Sequence, residues 1–219
     1  EYERNINNDR VFHLGYETKT NSFSQNDLAN VRLKYSIKKE NFVIFFSGNF
    51  GISYDLDLVK AVIGTILTKD EGKNILFVIC GGGDTCGDFI EYANASENVI
   101  YTGWVNGLEL DLLMHISNIG LAPYNNAALM SLPNKLFEYM ANELPIVNSL
   151  QGEMAYFIEK FSIGLNAYSE DDLVSKIFFL YRNRDYLNKL RQNCLNTYQN
   201  FGVPEKIYAG FAKFILEGK

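Results

Sequence analysis

Apolar residues in the middle of this chain fall into short continuous runs, separated by longer stretches of mixed polarity. The runs at residues 42–46, 75–80, 99–102, 119–122 and 146–148 read FVIFF, ILFVIC, VIYT, IGLA and IVN. None alternates apolar with polar, as a strand with one wet face would. Continuous runs of this length predict strands of a parallel sheet that is buried on both faces. The intervening stretches, 55–67, 84–94, 107–115 and 133–141, are expected to be helices. Strands that alternate with helices form right-handed βαβ units, so the chain is expected to be an α/β protein. Its core is expected to be a single Rossmann-like, doubly wound parallel sheet with helices on both faces. A further strand is predicted near 163–167, and helical spacing recurs over 171–181, 185–198 and 204–216.

Residues 1–25 are polar and rich in Asn, Thr and Ser, with one short strand candidate at 11–14. They are expected to be a linker entering the domain. Leu28, Val31, Leu33, Tyr35 and Ile37 form an irregular apolar spacing that predicts a helix. Residues 26–200 then make one domain, and 201–219 a C-terminal helix. With 219 residues the chain has room for one such sheet, not two. Its 47% hydrophobic and 21% charged content is that of a soluble globular protein, so the runs read as core strands. No apolar run approaches the roughly 20 residues that span a bilayer. A net charge of −6 argues against a nucleic-acid-binding surface, yet leaves room for a local anion pocket. The three cysteines form no CxxC, and the two histidines stand too far apart for a metal site. Together with the absence of a visible signal peptide, this predicts a reducing, cytoplasmic setting. The chain starts at Glu1 without a methionine and is expected to be part of a longer protein.

Doubly wound sheets bind ligands in the loops at the carboxyl ends of their strands. Here those loops are 47–54, 81–84, 103–106, 124–132 and 149–153, and glycines fall in four of the five. Residues 131–149, SLPNKLFEYMANELPIVNS, carry the densest chemistry. A helix opening on Pro133 leaves backbone N–H groups unpaired at the positive end of its dipole, which suits a phosphate. Lys135 adds a cation there. Glu138, one turn on, can accept two hydroxyls of a ribose. Together they describe a site for a nucleotide diphosphate; a solvated helix glutamate is the plainer reading of Glu138.

Other motifs carry plainer readings beside functional ones. The loop Gly48-Asn49-Phe50-Gly51 can approach a phosphate closely or serve as an ordinary tight turn. Gly81-Gly82-Gly83-Asp84 fails the dinucleotide fingerprint because Cys86 occupies its third glycine position. It is expected to be a turn with Asp84 capping the next helix. Asp55-Leu56-Asp57 has the spacing of a metal motif, but at a helix start acidic residues serve as caps. Gly103-Trp104-Val105 follows a strand, where Trp104 can flank a ligand or cover core.

In register, five segments resemble the group 1 glycosyltransferases (family 4) of GT-B fold. Residues 131–149 are similar to their S-x-P-x-K-x-x-E-Y-x-A helix with its following P-I-V strand. The others are FFSGNFG (45–51), LFVICGGGD (76–84), NVIYTGWV (98–105) and ISNIGLAPY (116–124). The resemblance spans about residues 41–200. It implies the C-terminal, donor-binding half of a GT-B fold. The reaction implied is sugar transfer from a UDP- or GDP-linked donor to an acceptor hydroxyl, with retention and with neither metal nor cofactor. By this resemblance Lys135, the turn Ser131, Leu132, Pro133 and Asn134, and the loop Gly48, Asn49 and Gly51 hold the diphosphate. Lys135 acts in catalysis, Glu138 binds the ribose, and Gly103, Trp104 and Val105 lie beside the base. A sugar or lipid-linked acceptor would sit on a separate N-terminal domain, in polysaccharide biosynthesis, in the cytoplasm or peripherally at the inner face of the membrane. Three positions depart from the family's habit. Asn49 stands where many members have Arg, Tyr54 near where they have Lys, and Met130 where many have a glutamate touching the transferred sugar. The alternative is a non-catalytic Rossmann-like nucleotide-binding or protein-interaction module.

Overall fold

The computed structural model describes residues 11–18, 23–83, 86–125 and 128–217. Its strands are β1 (Phe42–Asn49), β2 (Ile75–Gly82), β3 (Val99–Gly103), β4 (Ile119–Ala122), β5 (Ile146–Asn148) and β6 (Gly164–Asn166). They form one six-stranded sheet in the order β3-β2-β1-β4-β5-β6. Every pairing is parallel. The order reverses between β1 and β4, so the topological switch point lies there. The helices are α1 (Gln25–Lys34), α2 (Leu56–Leu67), α3 (Gly87–Ala95), α4 (Gly107–Ile116), α5 (Asn134–Ala141), α6 (Glu153–Phe161), α7 (Glu170–Arg182), α8 (Arg184–Phe201) and α9 (Pro204–Glu217).

The continuous apolar runs follow from helices on both sides. Phe42, Ile44 and Phe46 of β1 pack with α2, α3 and α7. Their neighbours Val43 and Phe45 pack on the opposite face with α1, α4, α5 and α6. Successive strand side chains point to opposite faces, so a strand covered twice has no polar position to offer.

Several boundaries differ from expectation, each for a local reason. Helix α1 starts at Gln25, because Ser24 and Asp27 form a reciprocal capping box. Leu33 is left exposed on α1, and Ile37 is buried beyond its end. Strand β1 runs three residues past the apolar run, to Asn49, held by continuous pairing with β2 up to Asn49 and Gly82. Helix α3 starts at Gly87 with Cys86 at its cap position; Asp84, expected to cap it, lies outside the described residues. Helix α5 begins at Asn134, and Pro133 sits at the cap with ψ 151°, extended rather than helical.

The strand expected at residues 11–14 does not form. The segment instead satisfies itself against the last two helices. The Tyr208 hydroxyl donates to the Leu14 carbonyl at 3.1 Å, and the Tyr16 N–H to the Gly202 carbonyl at 3.1 Å. The Phe12 ring lies 5.2 Å from that of Phe211 and 5.7 Å from that of Phe214. This covers only part of the α9 stripe: Tyr208, Phe211 and Ile215 stay exposed, and Ile207 and Phe214 are half-buried.

The seat of α5 is the contact that places the ligand-end loops. Tyr139 is fully buried over β4, and its hydroxyl donates to the Leu121 carbonyl at 2.9 Å. It lies so close that a Cβ on Gly120 would come within 2.5 Å of its ring. The ring has nowhere to retreat, held by that hydrogen bond and by Phe45 at 6.0 Å. Gly120→Ala should therefore cost about 1–3 kcal/mol as overpacking, read as a lower midpoint of urea unfolding.

Candidate functional site

The register at the switch point opens a crevice. Strand β4 pairs with β1 only at Ile44 and Phe45, whereas β2 follows β1 to its end. Beyond Phe45, β1 continues beside β2 alone, and the loops after β1 and β4 part around a cavity before meeting again. Their meeting is a single antiparallel bridge between Tyr54 and Tyr124, whose rings stack at 5.0 Å. The Asp55 N–H donates to the Pro123 carbonyl at 2.8 Å and closes that junction. Asp55 also caps α2 through its side chain, accepting from the Leu58 N–H at 2.9 Å. The acidic pair at 55 and 57 is thus a helix start. Among the described residues no group of three or more His, Cys, Asp or Glu is placed to hold a metal ion.

The crevice has a volume of about 490 Å³. Its floor is the carboxyl end of β1 and β2, where two glycines let the backbones meet. Gly81 has φ +125°, and a Cβ there would fall 1.9 Å from the Gly48 carbonyl oxygen. A Cβ on Gly48 would in turn reach within 2.8 Å of the Tyr54 ring. Helix α5 points its N-terminus into the crevice, with Pro133, Asn134, Lys135 and Glu138 all lining it. Among the described residues no side chain caps that terminus. The Asn134 and Lys135 N–H groups have no carbonyl a turn earlier within the helix, so the positive end of the dipole is presented to the cavity.

Lys135 is the unusual member. It is 5% exposed, and its ammonium donates to the Ser47 carbonyl and, at 3.4 Å, to the Ser47 hydroxyl. The rings of Phe46, Tyr54 and Tyr139 lie 5.6, 5.5 and 5.2 Å from the nitrogen. It forms no ion pair among the described residues. An ammonium has three donors, so one is left for a ligand. Burial holds its pKa down to about 8; the Glu138 carboxylate, and after it Cys80, favour the charged form. Glu138 lines the same cavity, half-buried, and its carboxylate has no hydrogen-bond partner among the described residues. Burial lifts the Tyr54, Tyr124 and Tyr139 hydroxyls above the usual phenol range, so they stay neutral donors. Burial also pushes the Cys80 thiol up to about 12, and the thiol is no nucleophile at neutral pH.

Nine of the residues singled out in the sequence meet here: Gly48, Asn49, Trp104, Val105, Leu132, Pro133, Asn134, Lys135 and Glu138. Trp104 is 67% exposed and flanks the cavity rather than covering core. Three do not line it. Gly51 sits on an exposed turn beside a separate depression with Asp57 and Lys60. Gly103 takes φ +66° just behind Trp104, and Ser131 faces solvent, its hydroxyl donating to Glu153. Ser47, Gly81 and Tyr124 also line it, each from a loop expected at the ligand end but not singled out there as a site residue, and Cys80 and Leu110 line it from outside those loops. Cys80 is the last residue of its apolar run, one position before the loop that the rule for strand ends marks, whereas Leu110 lies inside α4 and carries no such signal.

A family profile described as glycosyl transferases group 1 matches residues 29–197. The chain belongs to the group 1 glycosyl transferases. No curated protein sequence matches it significantly. Among solved structures, it is similar to WaaG, a glycosyltransferase of lipopolysaccharide biosynthesis, with TM-score 0.73 and 18% identity over 90% of this chain and 54% of that one. It is similar to Anabaena Alr3699/HepE in complex with UDP, with TM-score 0.79 and 12% identity over 95% of this chain and 57% of that one. Sucrose-phosphate synthase of Thermosynechococcus elongatus matches with TM-score 0.70 and 16% identity, over 86% and 48%. The sheet is thus the Rossmann-like sheet of GT-B glycosyltransferases, and the chain spans about half the length of these structures.

The buried ammonium makes stability depend on pH in this group 1 member. Unfolded, Lys135 keeps its proton to the ordinary 10.5; folded, it releases it near 8. Between those values the unfolded chain binds more protons, so stability rises with pH. Relative to Lys135→Met, the wild type should gain on the order of 2–3 kcal/mol between pH 7.5 and 10.5, measured by urea unfolding of both at each pH.

Proposed function

We propose that this chain is the donor-binding domain of a retaining glycosyltransferase that needs no metal, and that its crevice holds a nucleotide diphosphate sugar. The observation that carries this reading is Lys135: a buried ammonium held by one serine and three rings, with Glu138 near but not ion-paired, at a helix N-terminus that no side chain caps among the described residues. A full charge held this way is costly unless an anion completes its shell. The free N–H groups of Asn134 and Lys135 supply the remaining donors. The UDP-bound HepE structure, which shares the fold, supports a nucleoside diphosphate as that anion.

Within this reading each group has a distinct task. As the bond to the sugar breaks, negative charge grows on the leaving diphosphate. Lys135 and the helix N–H groups, already oriented, stabilise it there more than in the bound donor. Glu138 accepts the ribose hydroxyls, and Trp104 and Val105 flank the base. Asn49 and Tyr54 bring no cation, so among the described residues Lys135 is the one basic side chain that lines the cavity. Met130, 38% exposed at the rim, offers the sugar an apolar contact in place of a carboxylate. The acceptor, a sugar or a lipid-linked one, binds a second domain outside this chain.

UDP or GDP should raise the melting temperature of the chain more than NAD does, because a ligand that binds only the folded state stabilises it. A response to NAD with none to either diphosphate would overturn the reading. In the full-length enzyme, Glu138→Gln should weaken donor binding by roughly 1–3 kcal/mol, the scale of hydrogen bonds to charged groups. Lys135→Ala should lower kcat instead, since its charge acts on the departing group. Steady-state kinetics against donor concentration separate the two; unchanged kinetics in both variants would move the site elsewhere.

A further inference from the structure

A second cavity, of about 520 Å³, lies at the opposite end of the sheet. Its walls come from α1, α4, α8 and the segments leading into β1 and β4. Strand β1 separates it from the donor crevice by about 23 Å at 3.3 Å per residue. Arg32, Lys39, His115, Arg184 and Arg191 line it, and among the described residues no lining residue is acidic. The chain carries 26 acidic and 20 basic residues, so carboxylates are not in short supply. Elsewhere cations have found them: Lys34 pairs with Glu109 and Arg182 with Glu71. None of the four cations here forms an ion pair among the described residues.

Part of this charge has a structural task. Arg191 donates to the Ser117 carbonyl at 2.8 Å and the His115 carbonyl at 3.3 Å, and Arg32 donates to the Ile116 carbonyl at 3.3 Å. They close the negative end of α4. That end is worth roughly half a charge, and the Glu143 carboxylate attracts Arg191 without forming an ion pair; together these are less than three guanidinium groups and an ammonium. Arg184 has no such task. It is the first residue of α8, at the positive end of that dipole, where a cation is disfavoured. The cap residue Asn183 turns its side chain back to the Phe179 carbonyl and offers α8 no acceptor. The Arg184 guanidinium is instead held 4.5 Å over Phe42 and 5.0 Å over Tyr181, its edge donors unused by any hydrogen bond among the described residues. Stacking fixes the plane of a guanidinium while leaving its fork free for an oxyanion.

We propose that this cavity binds a phosphate-bearing anion, with Arg184 and Lys39 as its outer contacts and Arg191 and Arg32 behind them. A phosphate oxyanion suits the set because forked guanidinium donors match its geometry and several cations share its charge. The same group can arrive on a soluble phosphate or on a lipid headgroup.

The test uses the whole chain and the variant Lys39→Gln/Arg184→Gln, which changes only exposed side chains. One arm titrates inorganic phosphate and pyrophosphate, read by phosphorus NMR and melting temperature. The other sediments vesicles of phosphatidylcholine with and without phosphatidylglycerol. Saturable binding in one arm is expected, weakened roughly ten- to a hundredfold in the double variant, the scale for losing charged hydrogen bonds. Binding only to the anionic vesicles assigns the phosphate to lipid; binding of the soluble anions assigns it to a free ligand. Lys135→Met should keep the response, which separates this site from the donor crevice. Pyrophosphate can also enter the donor crevice, so the double variant is compared in the Lys135→Met background; there, binding in neither arm, or binding that survives the double variant, would overturn the proposal.

Discussion

The ammonium of Lys135 has to be satisfied inside the protein, and much of the ligand end is arranged around that requirement. It sits where β1 outruns β4, over a carbonyl of β1 and among three aromatic rings. Each compensation is partial. A hydrogen bond to a carbonyl and contacts to ring faces favour the charged form without neutralising it. Burial still draws the pKa down to about 8, so near neutral pH the group remains mostly charged and lacks a full shell. That combination is poor for stability and well suited to a transferable anion.

Reaching this geometry depends on α5, whose two ends do different work. Its N-terminal turn carries Lys135 and the open N–H groups into the crevice. Further along, Tyr139 anchors the helix on β4 through Gly120 and the Leu121 carbonyl. Beyond its end, Asn142 is buried and donates back to the Glu138 carbonyl at 3.0 Å and, at 3.4 Å, to Asp111 of α4, which also accepts from the Tyr16 hydroxyl at 2.8 Å. The leading segment, α4 and α5 are thereby tied together behind the site. The helix is short, and its precision comes from these tertiary contacts rather than its own propensity.

Much of the architecture was legible from the linear pattern. The five runs became five parallel strands in one sheet, and the weaker signal at 163–167 became its edge strand. They were readable because a strand buried on both faces leaves a continuous apolar signature. The leading segment was not: its backbone groups found partners on α8 and α9, nearly two hundred residues away in sequence, and no local spacing encodes that. For the site, Lys135, Glu138 and the α5 start were legible because one helix turn holds them all. Tyr54 and Tyr124 were not legible as a pair, since their contact exists only once two distant loops meet. Gly51 and Ser131 had the right chemistry in the right loops, yet both face solvent outside the crevice.

The sequence alone determined the order of strands and helices, the double burial of the sheet and the collection of glycines at one end of it. Periodicity and turn chemistry act over a few residues, and so they can be read there. The charge state of Lys135, the depth of the crevice and the gathering at the far end of four cations with no ion pair among the described residues were decided only by the tertiary structure. These depend on desolvation and on distances between groups far apart in the chain, such as Lys39, Arg32, Arg184 and Arg191. Composition points the other way, with a net charge of −6 that hides both local concentrations of positive charge.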